Sequence, residues 1–199
     1  MSGVTTRDGT PDEFGSAYRL LSTAVTPRPI GWISTTSTEG VDNLAPYSFF
    51  NVVAVDPPVV MFAPVGSGEL KDTPRNVRET EQFVVNTVTR ELVEQMNATS
   101  ATLGPGESEF DAVEIDRADS VLVDPPRVAA AKVAFECDLY DWIEVGGSVL
   151  ILGEVVHAHV DDSALTEGKL DIEKLDTVGR LAGSQYASTA DRFAFDRPD

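Results

Sequence analysis

One cysteine, two histidines and four lysines are all that this chain of 199 residues carries of those types. A lone Cys137 makes no internal disulfide, and no Cys/His cluster has the spacing of a zinc site. The first 25 residues include Asp8, Asp12 and Glu13 and hold no apolar stretch of the kind a secretory leader needs, so no leader is expected. No apolar run approaches the roughly 20 residues that a membrane-spanning helix takes. A Gly-x-Gly-x-x-Gly between strand and helix is missing, which removes support for a Rossmann dinucleotide site, and so is the Gly-x-Ser-x-Gly elbow of the α/β-hydrolases. The expectation is a soluble cytoplasmic protein.

Positive charge is scarce as well. Thirty-three Asp and Glu face fifteen Lys and Arg, for a net charge of −18. Such a chain repels phosphate backbones and anionic lipid, so neither nucleic acid nor a membrane surface is expected as a partner. The acids are scattered along the whole length and read as a solvated shell, while 42% hydrophobic residues supply an ordinary core. Self-repulsion of this size is best tolerated in concentrated salt, where the screening length falls to roughly 3 Å at 1 M. Acid-rich, lysine-poor composition of this kind resembles that of halophilic proteins from salt-accumulating archaea.

Residues 1–16 are polar and read as a flexible N-terminal arm; residues 17–199 read as a single domain. Strands are expected at Ile30–Thr36, at Asn43–Val55 up to Asp56-Pro57-Pro58, at Val59–Phe62 and at Phe83–Val88. The Gly66-Ser67-Gly68 break is followed by a helix from Asp72 to about Thr80, with Pro74 near its start. Arg90 to Ala101 has helical spacing, with Leu92, Val93 and Met96 on one side. Lys132–Ile143 and Ser148–Val160 read as long antiparallel strands joined at Gly146-Gly147, and a short helix is expected near Leu175. Six or more strands with few helices and short connections indicate a β-barrel with helical decoration.

Two stretches carry the candidate chemistry. In Asn43-Leu44-Ala45-Pro46-Tyr47-Ser48-Phe49-Phe50-Asn51, small and polar residues interleave with rings. That pattern is first of all that of a strand with aromatic core contacts, the usual fate of aromatics, and it also suits a flat ligand lying against a strand. In Leu70-Lys71-Asp72-Thr73-Pro74-Arg75-Asn76, a cation, a hydroxyl and a helix N-terminus fall together. An ordinary helix cap reads the same way, but one of only four lysines stands here, which favours an anionic phosphate. His157 and His159, two apart in a strand, share a face. Cys137 alternates with apolar residues and reads as buried and inert. No catalytic carboxylate pair and no metal site are expected.

Taken in order, the stretch Arg28 to Thr35 (RPIGWIST), NLAPYSFFNVVAVDPP (43–58), KDTPRN (71–76), FVVN (83–86), LGEVVHAHVDD (152–162) and GRLAGSQY (179–186) resemble the flavin reductase-like family. The resemblance runs from about Ala17 to Tyr186. It implies a mainly β fold, the six-stranded antiparallel FMN-binding split barrel, with a few short helices. It also implies a homodimer with FMN near the dimer interface. By that resemblance Ala45, Pro46, Tyr47, Ser48, Phe49, Phe50 and Asn51 lie along the isoalloxazine and ribityl chain, with Ser48 the foremost polar contact. Lys71, Asp72 and Thr73 fall at the phosphate-binding turn with Asn76 nearby, and Arg28 reaches the phosphate or the flavin rim. His157 or His159 would stand near the exposed flavin edge where a nicotinamide docks, and Tyr186 would close that pocket.

The activity so implied is hydride transfer from NADH or NADPH to N5 of FMN, followed by electron delivery to an acceptor, a protein or a small molecule. The cofactor carries that chemistry, so no catalytic side chain is assigned. Two alternatives stand beside it: a flavoredoxin-like carrier that shuttles electrons without nicotinamide, and an FMN-binding protein with no turnover.

Overall fold

The computed structural model describes residues 5–66, 70–104, 106–196 and 198. Seven strands build the main sheet: β1 (Gly31–Thr36), β2 (Asp42–Tyr47), β3 (Phe50–Val55), β4 (Pro58–Phe62), β5 (Gln82–Thr87), β6 (Val133–Val145) and β7 (Ser148–Val160). Their order is β2-β1-β5-β6-β7-β4-β3, and every pairing is antiparallel. The two edge strands of this order, β2 and β3, are joined in the chain by only Ser48 and Phe49. The three peptide steps from Tyr47 to Phe50 span at most about 11 Å, so the sheet must curl until its edges come close. The result is a mainly β barrel, split along the β2/β3 seam, with seven strands where six were expected.

That junction also corrects the expected single strand over Asn43–Val55. The chain turns at Ser48-Phe49 and crosses from one edge of the sheet to the other. Pro46 is tolerated inside β2 because this is an edge strand, where a missing N–H costs no ladder bond. Gly66 lies in the described chain, whereas Ser67 and Gly68 of the expected break lie outside the described residues.

Inside the barrel, Ile33, Phe62, Phe83, Val85, Cys137 and Ile151 are fully or almost fully buried in one apolar cluster. Two glycines make room for rings. A Cβ on Gly31 would come within 2.7 Å of the Phe50 ring, and a Cβ on Gly153 would overlap Phe83. Burial pushes the Cys137 thiol far up, with the carboxylates of Asp138 and Glu136 adding to the effect, so it stays protonated and inert.

A second cluster lies outside the barrel wall around Trp32, Leu44, Met96, Phe110 and Val178. Three helices bear on the site: α1 (Ala17–Ala24), α2 (Asp72–Thr80) and α3 (Val93–Ala98). The expected Arg90–Ala101 helix is broken, because Arg90–Leu92 forms a 3-10 turn before α3. A short α4 (Glu109–Ala112) and α5 (Ile172–Leu175) complete the helices, and a three-stranded sheet pairs Arg28–Pro29 and Tyr186–Ser188 to Val178–Arg180. No helix among the described residues is long and apolar enough to cross a membrane.

Replacing Gly153 by Ala forces Phe83 off its rotamer within the barrel. Overpacking of this kind costs about 1–3 kcal/mol, so Gly153→Ala is expected to lower the denaturation midpoint clearly at constant salt. An unchanged midpoint would show that Phe83 has room to move.

Candidate functional site

The site begins with a buried side-chain network. Asn43, in β2, donates from Nδ2 to Oε2 of Glu109 (2.8 Å) and accepts at Oδ1 from the Thr73 hydroxyl (2.5 Å). The same Glu109 oxygen accepts the Leu44 amide at 2.9 Å. Asn76 donates to the Thr35 hydroxyl at 3.0 Å, while its own Oδ1 is buried with no partner among the described residues. Burial pushes the Glu109 carboxyl above the usual carboxylate range, against the lowering effect of these hydrogen bonds. The network pins β2, the start of α2 and α4 to one another.

Above it lies a cavity of about 440 Å³, bounded by Ala45, Pro46 and Tyr47 of β2, by Lys71, Asp72 and Thr73 at the start of α2, and by the loop 99–103. A second cavity of about 330 Å³ shares Pro46 and Ser100 with it and is bounded by Tyr18, Arg28, Ser48, Asn97, Arg180 and Tyr186. Both volumes fall in the range of small-molecule sites, roughly 300–1,000 Å³.

The expected cofactor residues therefore divide. Ala45, Pro46, Tyr47, Lys71, Asp72 and Thr73 meet at the first cavity. Lys71 is exposed and is the N-cap residue of α2, with no side-chain capping bond. The Asp72 carboxylate pairs with Arg75. The Thr73 hydroxyl is committed to Asn43, so this residue offers a ligand its backbone only. Burial pushes the Tyr47 hydroxyl up to about 12; the hydroxyl of Thr73 opposes the shift, and the carboxylates of Glu109 and Asp72 add to it. Tyr47 thus remains protonated at any working pH, its ring 4.9 Å from that of Phe62.

Arg28, Ser48 and Tyr186 belong to the second cavity. The Arg28 guanidinium is buried and largely spent on the protein: it donates to the carbonyls of Ser22, Val25 (2.9 Å) and Leu181 (3.0 Å) and to the Ser48 hydroxyl (3.4 Å). Phe49 lies 6.4 Å from Tyr18, ring to ring, with Arg28 above its face. Phe50 packs into the barrel core, Asn51 is exposed on β3, and Asn76 is buried behind the network.

Neither His157 nor His159 lines either cavity. They stand on β7 with rings 4.9 Å apart, and Nε2 of His159 lies 2.5 Å from Oε1 of Glu136.

Arg180, Asn97 and Ser100 are among the residues of the second cavity that the sequence did not single out. Arg180 donates to the hydroxyl of Tyr186 and stacks on its ring, and Tyr186 in turn donates to Oδ1 of Asn97 at 3.0 Å. Arg180 and Tyr186 both lie in the GRLAGSQY stretch, where the arginine was the unread signal; Asn97 and Ser100 had none, because only the fold brings α3 to this place.

An antiparallel barrel split at one seam, with a ligand-sized cavity against its edge strand and a helix N-terminus at one end, defines a split barrel with a small-molecule pocket. The chain belongs to the flavin reductase-like family: the model of the flavin reductase like domain matches residues 23–177. An uncharacterised protein of Aquifex aeolicus is 42% identical over 172 residues, covering 85% of this chain and 88% of the relative. Nitrilotriacetate monooxygenase component B from Bacillus cereus superposes with a TM-score of 0.87 at 33% identity, over 98% of each chain. The 2-nitrobenzoate 2-nitroreductase of Pseudomonas fluorescens does so with a TM-score of 0.84 at 34% identity, over 92% of this chain and 90% of that one. With these relatives the chain is an oxidoreductase-type flavoprotein.

The Glu109 carboxyl gives a pH test. Its folded-state value is raised above the ordinary carboxylate range, so the stability it contributes is present below that range and declines as pH rises through the raised value. Glu109→Gln keeps an acceptor for Asn43 and Leu44 without the charge. The stability of the natural protein relative to this variant is expected to fall as pH rises above the ordinary carboxylate range, read from denaturation midpoints. A pH-independent difference would remove the assignment.

Proposed function

We propose that the chain is an FMN-dependent oxidoreductase that uses NADH or NADPH. The observation that carries this reading is the convergence of Ala45–Tyr47, Lys71 and the start of α2 on one cavity, in a chain of this family. The chemistry FMN supplies when bound is acceptance of a hydride at N5 and delivery of the electrons to an acceptor.

The residues present fit such a group. Lys71 and the unstapled first turn of α2 offer a point charge and a positive dipole end to a phosphate, in a chain that otherwise repels anions. Ala45 and Pro46 leave a flat, shallow wall on β2, and protonated Tyr47 can donate but never compete as an anion. The second cavity, joined to the first at Pro46 and Ser100, gives the co-substrate its place; Arg180 supplies positive charge at its rim and Tyr186 its cover. Arg28 acts here by positioning, since it holds α1 and Leu181 around that opening.

The first test is an anaerobic absorbance spectrum in concentrated salt, before and after NADPH or NADH. Flavin peaks that bleach support the proposal, peaks that persist favour a partner-fed carrier, and no flavin uptake at all overturns it. Lys71→Ala is expected to weaken FMN retention by about tenfold or more, the worth of one charge-assisted contact, while leaving the denaturation midpoint unchanged. Equal retention would move the phosphate elsewhere.

The assembly we propose is a homodimer. Val52, Val53 and Val55 on the free edge strand β3 are 63%, 52% and 86% exposed, an unprotected apolar edge that a second copy would cover. A dimer carries twice the chain's −18, so we expect a halophile's response: dissociation as salt is removed. Sedimentation velocity of the double variant Val52→Asp, Val55→Asp in concentrated salt should show a monomer; a persistent dimer would place the interface on another face.

A further inference from the structure

We propose that Glu136, His157 and His159 form a binding site for one divalent transition-metal ion, of the kind that prefers imidazole, such as Zn²⁺. One ligand atom from each residue lies within 4.8 Å of the others. Two imidazoles and a carboxylate are a donor set that suits such ions, and three protein ligands leave the fourth tetrahedral position to water.

The backbone is bent to make this grouping. Along the β6/β7 ladder Val155 stands opposite Cys137, yet His157 stands opposite Glu136, so Val156 is an extra residue and β7 bulges. In an unbroken ladder Val156 would oppose Glu136, and His157 would oppose Phe135, whose side chain packs into the barrel interior. The bulge turns His157, and with it His159, to the opposite face, where Glu136 waits. Bulges re-aim side chains in this way, at the cost of interrupted pairing.

Glu136 is prepared as a ligand. It is fully buried, and its carboxylate accepts the amides of Val121 (2.7 Å), Leu122 (2.6 Å) and Val123 (3.2 Å). Outer hydrogen bonds of this kind orient a ligating carboxylate. Both histidines are partly exposed, which gives an ion a path in from solvent. The His159 Nε2 to Glu136 Oε1 contact of 2.5 Å must open to about 3.3 Å around a tetrahedral ion with bonds near 2.0–2.1 Å. Rotation of the His159 ring achieves that opening, since Glu136 cannot move. Bound there, the ion would tie β6 and β7 together and, through Glu136, hold the segment 121–123.

The chain has only two histidines, and both are here, so nitrogen ligation reports on this site alone. The test uses untagged full-length protein, freed of metal with a chelator and held in concentrated KCl with excess Mg²⁺ to occupy the acidic surface. Titration with Zn²⁺ in a calorimeter is expected to show one site per chain, and Co²⁺ to give the visible absorption of a tetrahedral ion. Loss of an outer partner typically costs a metal site 10–100-fold, so loss of a direct ligand in His157→Ala is expected to weaken Zn²⁺ binding by about 100-fold or more. The His157 side chain makes no hydrogen bond among the described residues, so this variant should keep the denaturation midpoint of the metal-free protein. His159→Ala should weaken binding likewise. No saturable Zn²⁺ binding, or binding that survives His157→Ala, would overturn the proposal and leave His159 as no more than the half-buried partner of Glu136.

Discussion

The side-chain amide of Asn43 is the fixed point around which the candidate site is arranged. Its two ends bind different elements, the carboxylate of Glu109 on one side and the hydroxyl of Thr73 on the other. A buried donor or acceptor left without its partner costs about 1–3 kcal/mol, so neither end can let go cheaply. β2, which forms one wall of the larger cavity, therefore cannot shift relative to the start of α2, which forms its end. The distance between the flat wall and the charged end of the cavity is set by this one residue.

Charge follows the same division of labour. In a molecule this acidic the basic groups are few, and those near the cavities serve different purposes. Arg28 is consumed by backbone carbonyls, Arg180 by Tyr186 and Gly183, and Arg75 by Asp72, while Lys71 stands exposed at the helix end with no side-chain hydrogen bond among the described residues. Arg28 and Arg180 act as struts. A guanidinium can be a strut because its planar fork satisfies several acceptors at once, which an ammonium cannot do.

Much of this was legible in the amino-acid order. The strands β1, β4, β5, β6 and β7 and the helix α2 were each announced by their apolar runs, prolines and hairpin glycines, signals that act over a few residues. The break at Ser48-Phe49 was not, because nothing in the local pattern of Asn43–Val55 says that the chain changes edges there; barrel closure decides it. The candidate site was read in the same uneven way. Lys71 and the Ala45–Tyr47 stretch carry their chemistry in their neighbours. Thr73 and Asn76 looked like ligand contacts from their position near a helix start, but the fold spends their side chains on Asn43 and Thr35. The partnership of Glu136 with the histidines depends on a single extra residue in a ladder, and a spacing rule has no access to that.

The two-residue bridge between the barrel's edges has a further bearing on how such a protein diversifies. A seam laced that tightly leaves the barrel no means of widening to suit a larger visitor. What can vary is the collar around the second cavity, made by α1, α3 and the residues near 180–186, which lies outside the seven-stranded ladder. New specificities in proteins built on this plan would then arise by remodelling the collar, with the barrel passed on unaltered beneath it.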